Sequence, residues 1–401
     1  MSASLASLAP AVDAAAIEVE LVTSIDGMRA LEGAWRALEM VSAGPGFFQS
    51  FAWCGHVAEV RAAANPGGYK PLVAIGRRDG EVVALWPLSL QRSLGSWVVR
   101  NLDDPFGQLA GVLATEAGDG EALVAGALAE IALRRLAGSA FLERIPVGDT
   151  LHRAILAHQP RLVPADAAVT LDLAPFTSFE ALRRSRNRKS MKNLRNASNR
   201  LRAAGTSAAR VLRRGAALEA LIRRACLRRR AWLDARGMSS PAFRLAEHSE
   251  ILRGGASWGL DAERIGFELS LEGKPIAEQW GFLHGGCYYA YMSAFDPAFE
   301  HLSPGKLQLA RVIEEVMALD AESIEMLTPA SDYKLVWSDA TRELVNATLA
   351  WSGGARLRHA VWDGGVRPAL KAAYYALPAG IAGFISGFLH AHAGDADRFG
   401  R

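Results

Sequence analysis

The chain has 401 residues, of which 50% are hydrophobic, 22% charged and 8% aromatic. That balance excludes a disordered, collagen-like or disulfide-stapled chain and leaves apolar material for two domains. Net charge is only +3, but 18 Lys/Arg and two acids lie between Arg183 and Arg236, leaving 27 basic and 40 acidic residues elsewhere. The basic character therefore belongs to one segment. Cys54, Cys226 and Cys287 are far apart and form no CxxC or Cys/His metal pattern, so a reduced cytoplasmic setting and no metal are expected. The opening run MSASLASLAPAVDAAA has no basic n-region and reads as a frayed tail.

Residues 17–24 alternate as a strand, and 26–41 carry Met28, Leu31, Ala34, Trp35, Leu38 and Val41 at helical spacing. Phe47, Phe48 and Phe51, with the helix holding Trp53, Val57 and Val60, read as core. Lys70 to Arg77 and Glu81 to Gln91 form a hairpin turned at Asp79-Gly80. An alanine-rich helix (120–137), a strand (Phe141 to Ile145), a second helix (151–159) and a strand (Val169 to Leu173) follow. Thr177 to Glu180 fits a capping box, which opens one long helix ending at Gly205 with Met191, Leu194 and Leu201 on its apolar stripe. Cations surround that stripe. They suit a solvated face, an anion-binding face, or contact with an anionic membrane surface. The absence of interleaved aromatics argues against sequence-specific nucleic-acid binding. A second basic helix spans 216–235.

The stretch 265–337 organises the chain. Strands run from Ile265 to Leu271, Pro275 to Leu283 and Cys287 to Phe295. A Ser303-Pro304-Gly305-Lys306 corner then opens an amphipathic helix, and a short strand, Ser323 to Leu327, leads to Asp332-Tyr333-Lys334. A helix N-terminus offers free N–H groups and a positive dipole end to phosphate. Leu344 to Ser352 and Arg356 to Val361 pair as closing strands, with Trp351 and Trp362 packed. Ala372 to Leu389 has no charged residue but is broken by Pro378, Gly380, Gly383 and Gly387. It suits an interfacial or docked helix better than a span. GxSxG, HExxH, GxGxxG and Walker A patterns are absent.

Pro275-Ile276-Ala277, Tyr288-Tyr289-Ala290-Tyr291 with Phe295-Asp296, Ser303-Pro304-Gly305, and Tyr333-Lys334 with Trp337 together resemble the second half of a GCN5-related N-acetyltransferase (GNAT) domain. More closely, they are similar to the CelD-type cellulose-biosynthesis acetyltransferases, relatives of the FemAB peptidyltransferases. The resemblance covers about residues 20–370, with its specific motifs inside 180–340. The Arg/Gln-x-x-Gly-x-Gly/Ala loop of simple GNATs is missing, so an acyl-CoA co-substrate is implied by position rather than signature. The resemblance implies an α/β (α+β) fold of tandem GNAT-like domains with mixed central sheets flanked by helices. Residues 17–165 would be a degenerate, substrate-shaping copy, with 103–111 nearest to its missing corner. Residues 166–370 would be the acyltransferase domain with a basic arm at 178–204, and 371–401 an apolar tail.

The expected reaction is acyl-CoA-dependent N-acylation by direct attack of an amine. Ser303, Pro304, Gly305, Lys306 and Leu307 are expected at the cofactor. Glu278 shares a strand face with Ile276, Trp280 and Phe282, which makes it a candidate base with a raised pKa; an edge glutamate turned to water is the alternative. Tyr291 and His301 are further catalytic candidates, and Tyr333 suits protonation of the leaving thiolate. Tyr289, Trp280, Asp332 and Lys334 are expected at the acceptor. The resemblance leaves an amino sugar or exopolysaccharide precursor, or a long-chain sphingoid base as for related bacterial ceramide synthases. An aminoacyl-tRNA-dependent transferase and a non-catalytic membrane- or polymer-binding scaffold remain alternatives. A cytoplasmic location, with peripheral contact at the inner membrane, is expected.

Overall fold

The computed structural model describes residues 17–42, 46–93, 95–238, 240–254, 256–259, 262–338 and 340–358. The expected apolar segment 372–389, and Trp362, lie outside the described residues. The N-terminal half contains β1 (Glu18–Val22), α1 (Ile25–Ala30), α2 (Glu32–Val41), α3 (Phe51–Ala64), β2 (Tyr69–Arg78), β3 (Glu81–Ser93), β4 (Ser96–Asn101), β5 (Leu113–Ala114), α4 (Ala117–Leu133), β6 (Ser139–Pro146) and α5 (Thr150–Leu156). The C-terminal half contains β7 (Arg161–Asp172), α6 (Phe179–Ser185), α7 (Arg188–Ala204), β8 (Ser207–Leu212), α8 (Gly215–Asp234), α9 (His248–Arg253), β9 (Glu263–Leu271), β10 (Lys274–His284), β11 (Cys287–Phe295), α10 (Pro304–Met317), β12 (Ser323–Leu327), α11 (Asp332–Leu335), β13 (Ala340–Ala350) and α12 (Gly353–Arg358).

The strands join one mixed sheet in the order β1-β2-β3-β4-β6-β13-β7-β12-β11-β10-β9-β8, with β5 on β3. Only β4–β6 and β11–β12 pair in parallel among the described strands. Where two central sheets were expected, β13 runs between β6 and β7 and merges them: Val345 pairs with Ile145 on one side and Pro164 on the other. Each half would otherwise end in a strand edge with unpaired backbone groups. The expected boundary at 165/166 falls inside β7.

The main core crosses the same seam. Trp35, Phe47, Phe48 and Trp53 pack with Trp280, Phe282 and Tyr289. Phe47 stacks on Phe282 with ring centroids 4.1 Å apart. The aromatics read as core are core, but they serve both halves.

Two local expectations are corrected. The helix expected from Thr177 to Gly205 is two helices. Ser178, not Thr177, caps α6 by accepting from the Ala181 amide. The Asn187 side chain then accepts from the amides of Lys189 and Ser190 and starts α7, a competition typical of asparagine against helix continuation. The strand expected from Arg356 begins instead as α12.

Candidate active site

The site forms where two strands separate. β11 pairs with β12 at only three positions, Cys287 to Ser323, Tyr288 to Ile324 and Tyr289 to Glu325. At that point β11 bulges: Trp280 pairs with Met292 and Phe282 with Tyr289, so Gly281 faces two residues. A Cβ on Gly281 would lie 1.9 Å from the Tyr289 carbonyl oxygen, so only glycine permits the bulge. Beyond it, Ala290 to Phe295 leave β12 and their outer backbone groups face a gap.

Two cavities occupy this gap. The first, about 400 Å³, runs under the start of α10 and is lined by Ser303 to Lys306, Gln308, Glu278 and Phe295. The second, about 430 Å³, reaches toward the N-terminal half through Gln108 and Arg144 and is lined by Tyr291, Phe243, His248 and Lys334. Arg229, Trp232, Gln279, Ser293 and Tyr333 line both. A donor and an acceptor entering from opposite sides would meet at these five residues.

The α10 corner borders the first cavity. Ser303 is left-handed (φ 57°), supplies no side-chain cap, and Pro304 fills the first helical position. An added Cβ at Gly305 would meet only Phe295, at 3.6 Å, so packing does not demand glycine there. Gln308, one turn in, is 3% exposed, and its Oε1 has no hydrogen-bond partner. A buried acceptor without a donor is costly, and an amide-bearing ligand in the first cavity would satisfy it. These residues fit the amide-linked arm and phosphates of a coenzyme A thioester.

Glu278 does not sit on an apolar face. It is fully buried, and its carboxylate takes bonds from Arg224 Nε (2.5 Å) and Arg228 Nη1 (2.6 and 2.7 Å). Arg224 also binds Glu268, and Arg228 reaches Pro275 O and Asp296. Both carboxylate oxygens already accept from guanidiniums, so the role of free base is withdrawn. Ile276, expected beside it, packs instead with Leu269 and Leu307, because the register shifts between Pro275 and Ala277.

The other expected residues divide. Ser303, Pro304, Gly305, Lys306 and Tyr333 converge on the first cavity; Leu307 turns into the core beside it. Tyr291 lines the second cavity, but its hydroxyl donates to Phe106 O. Tyr289 and Trp280 are core residues that line neither cavity, which corrects their acceptor role. His301 is exposed and lines neither cavity. Asp332 lies in a side pocket with Met191 and Lys306. Lys334 donates to the carbonyls of Met326, Leu327 and Pro329 at 2.8–3.1 Å, so it braces the turn after β12 instead of holding substrate. Burial, and then nearby Arg229, lower its ammonium to about 8. Sequence reasoning missed Arg224, Arg228, Arg229, Trp232, Gln308 and His248. Burial, helped by Arg230, pushes the His248 imidazole down to about 4, so it is neutral at pH 7. Among the described residues there is no group of three or more His, Cys, Asp or Glu able to hold a metal.

Residues 188–335 match the acetyltransferase (GNAT) domain family. Over that stretch the chain is similar to a GNAT acetyltransferase domain. The match spans α7 to α11 and so contains the parted strands, the α10 corner and Tyr333. The fold is also similar to two solved structures. One is FemX, at 13% identity and a TM-score of 0.55, covering 82% of this chain and 98% of FemX. The other is a tandem GNAT protein from the clavulanic acid biosynthesis pathway, at 14% identity and a TM-score of 0.50, covering 84% of this chain and 99% of that one. No curated protein matches the sequence significantly. The comparisons support N-acyltransferase chemistry and a tandem arrangement. No helix among the described residues is long and apolar enough to cross a membrane.

Proposed function

We propose that the protein transfers an acyl group from acyl-CoA to an amine by direct attack, with the donor in the first cavity and the amine in the second. The observation that carries this is the parting of β11 from β12 beneath the open N-terminus of α10. It exposes a strand edge for an amide-bearing arm beside a helix end for phosphate. The thioester supplies an activated carbonyl. The amine nitrogen bonds to that carbon, the C–S bond breaks, and the thiolate leaves. Tyr333 lines both cavities and, in this reading, protonates the thiolate. His248 lines the second cavity, but an imidazole that burial holds down to about 4 takes up a proton poorly, so we assign the amine's proton to solvent water.

The CelD and ceramide-synthase resemblances leave the acceptor as an amino sugar or a lipid amine. Calorimetry with acetyl-CoA, palmitoyl-CoA and free CoA, on the native chain and on Gly305→Trp, tests the donor. Gly305 lines the first cavity and a Cβ there meets only Phe295 at 3.6 Å, so a bulky side chain at this position is expected to intrude on the donor space. Loss of binding in the variant places the phosphates at the corner, and tighter palmitoyl-CoA points to a lipid product. If the native chain binds none of the three, the acyl-CoA reading fails. The aminoacyl-tRNA alternative draws on α7, which exposes Arg188, Lys189, Lys192, Arg195, Arg200 and Arg202 and contains no acid. Salt-sensitive tRNA retention without CoA binding would favour it.

A further inference from the structure

The second cavity has an unbalanced charge. No Asp or Glu lines it, while Arg144, Arg229 and Lys334 do. Two of these cations are already engaged. Lys334 spends its protons on three backbone carbonyls. Arg144 donates to Gly107 O and stands by the carboxyls of Asp103 and Glu143. Arg229 differs. It is half-buried, it has no acidic partner among the described residues, and its guanidinium lies over the Trp232 ring at 4.5 Å. A second guanidinium, Arg236, covers the same ring at 4.1 Å, so the neighbourhood adds positive charge rather than removing it.

A guanidinium withdrawn from water without a counter-charge is unfavourable unless a ligand supplies one. Its position over the indole restrains it, and a guanidinium fork can bind a planar or tetrahedral oxyanion through two parallel bonds. Arg229 also lies where the two cavities meet. A group bound there would fix the acceptor close to the reacting centre. Phe243, Trp232 and Tyr291 give the same cavity apolar walls for the body of the molecule.

We infer that Arg229 is an acceptor-binding residue that recognises an oxyanion, so that the acceptor is an amine also carrying a carboxylate or a phosphate. The inference rests on the acyl-transfer reading and narrows its substrate class. A plain sphingoid base has no such group and would leave Arg229 uncompensated.

The test uses the full chain saturated with CoA, so that the donor cavity is filled. Benzoate, phenyl phosphate and phenol are titrated by calorimetry, with the native protein and with Arg229→Met and Arg229→Lys. At least one anion is expected to bind roughly 10-fold or more tighter than phenol, since charge-assisted pairs are worth about 10–100-fold. Arg229→Met should erase that advantage and lower CoA affinity far less than anion affinity. Arg229→Lys, which keeps the charge and the fold but loses the fork, should retain part of it. The stronger of the two anions names the oxyanion. Failure of both anions to bind, equal binding of phenol, or anion binding unchanged by Arg229→Met would overturn the inference. So would a loss of CoA affinity in Arg229→Met as large as the loss of anion affinity, which would put Arg229 on the donor. If the native chain does not bind CoA, the same titration without CoA still decides the subsite, and only the acyl-CoA reading falls.

Discussion

Glu278→Gln separates a structural carboxylate from a catalytic one. The side chain is fully buried, and two guanidiniums converge on it, Arg228 (17% exposed) and Arg224 (30% exposed). Removing one partner of a buried ion pair costs about 3–5 kcal/mol. Glutamine keeps the shape and one acceptor, while Arg224 keeps Glu268 and Arg228 keeps Pro275 O. The loss should therefore fall at the lower end, about 3 kcal/mol. Unfolding a chain of this size changes entropy by about 0.8 kcal/mol/K, so the melting temperature should fall by about 4 °C. Differential scanning calorimetry at pH 7 reads the shift, and a thiol-release assay reads the pH–rate profile. We expect a lower Tm, a modest loss of kcat/KM and an unchanged acid limb. An unchanged Tm, with kcat/KM down about 1000-fold and the acid limb gone, would refute the reasoning and restore Glu278 as the base.

Two further outcomes follow from buried titratable groups. Asp103 is 4% exposed, and burial raises its carboxyl to about 7 against the Trp53 indole bond that opposes the shift. The folded state thus holds a proton that the unfolded chain releases near 4. Stability from this group is full below about pH 4 and is lost as pH rises through about 7. Asp103→Asn should match the native chain at pH 4 and gain up to about 4 kcal/mol relative to it at pH 8; equal denaturation midpoints at both pH values would contradict this. Lys334→Met should leave three carbonyls short of a donor, cost about 3 kcal/mol and lower kcat together with donor affinity; a loss confined to acceptor KM would show that Lys334 touches substrate after all.

Much of the fold was legible because it is periodic. The hairpin turned at Asp79-Gly80, the three strands of 265–295 and the helix after Ser303 lie within a few residues of their expected positions, since alternation and glycine corners are local signals. The union of the two halves was not. β13 shows ordinary alternation, and nothing in its residues reveals that one edge pairs with β6 and the other with β7. Register across 180 residues is a tertiary choice, and propensity does not carry it. The break before α7 left a signal in Asn187, which competes with the helix for its own amides.

The site shows the same division at finer grain. The Ser303–Lys306 corner could be found from chain order alone, because helix ends bind anions wherever they occur. The arginines of α8 could not, because a basic run is read as one solvated face. A helix turns about 100° per residue, so neighbours in that run have separate fates. Arg224 and Arg228, four apart, point together at the buried carboxylates. Arg229, next in sequence, turns to the junction of the cavities and lies over Trp232. Arg230 faces solvent. The same chemistry thus gives a structural clamp, a candidate ligand contact and a surface charge in three consecutive positions. Only the acids of β9 and β10 decide which is which, by claiming Arg224 and Arg228 and leaving Arg229 without an acidic partner among the described residues.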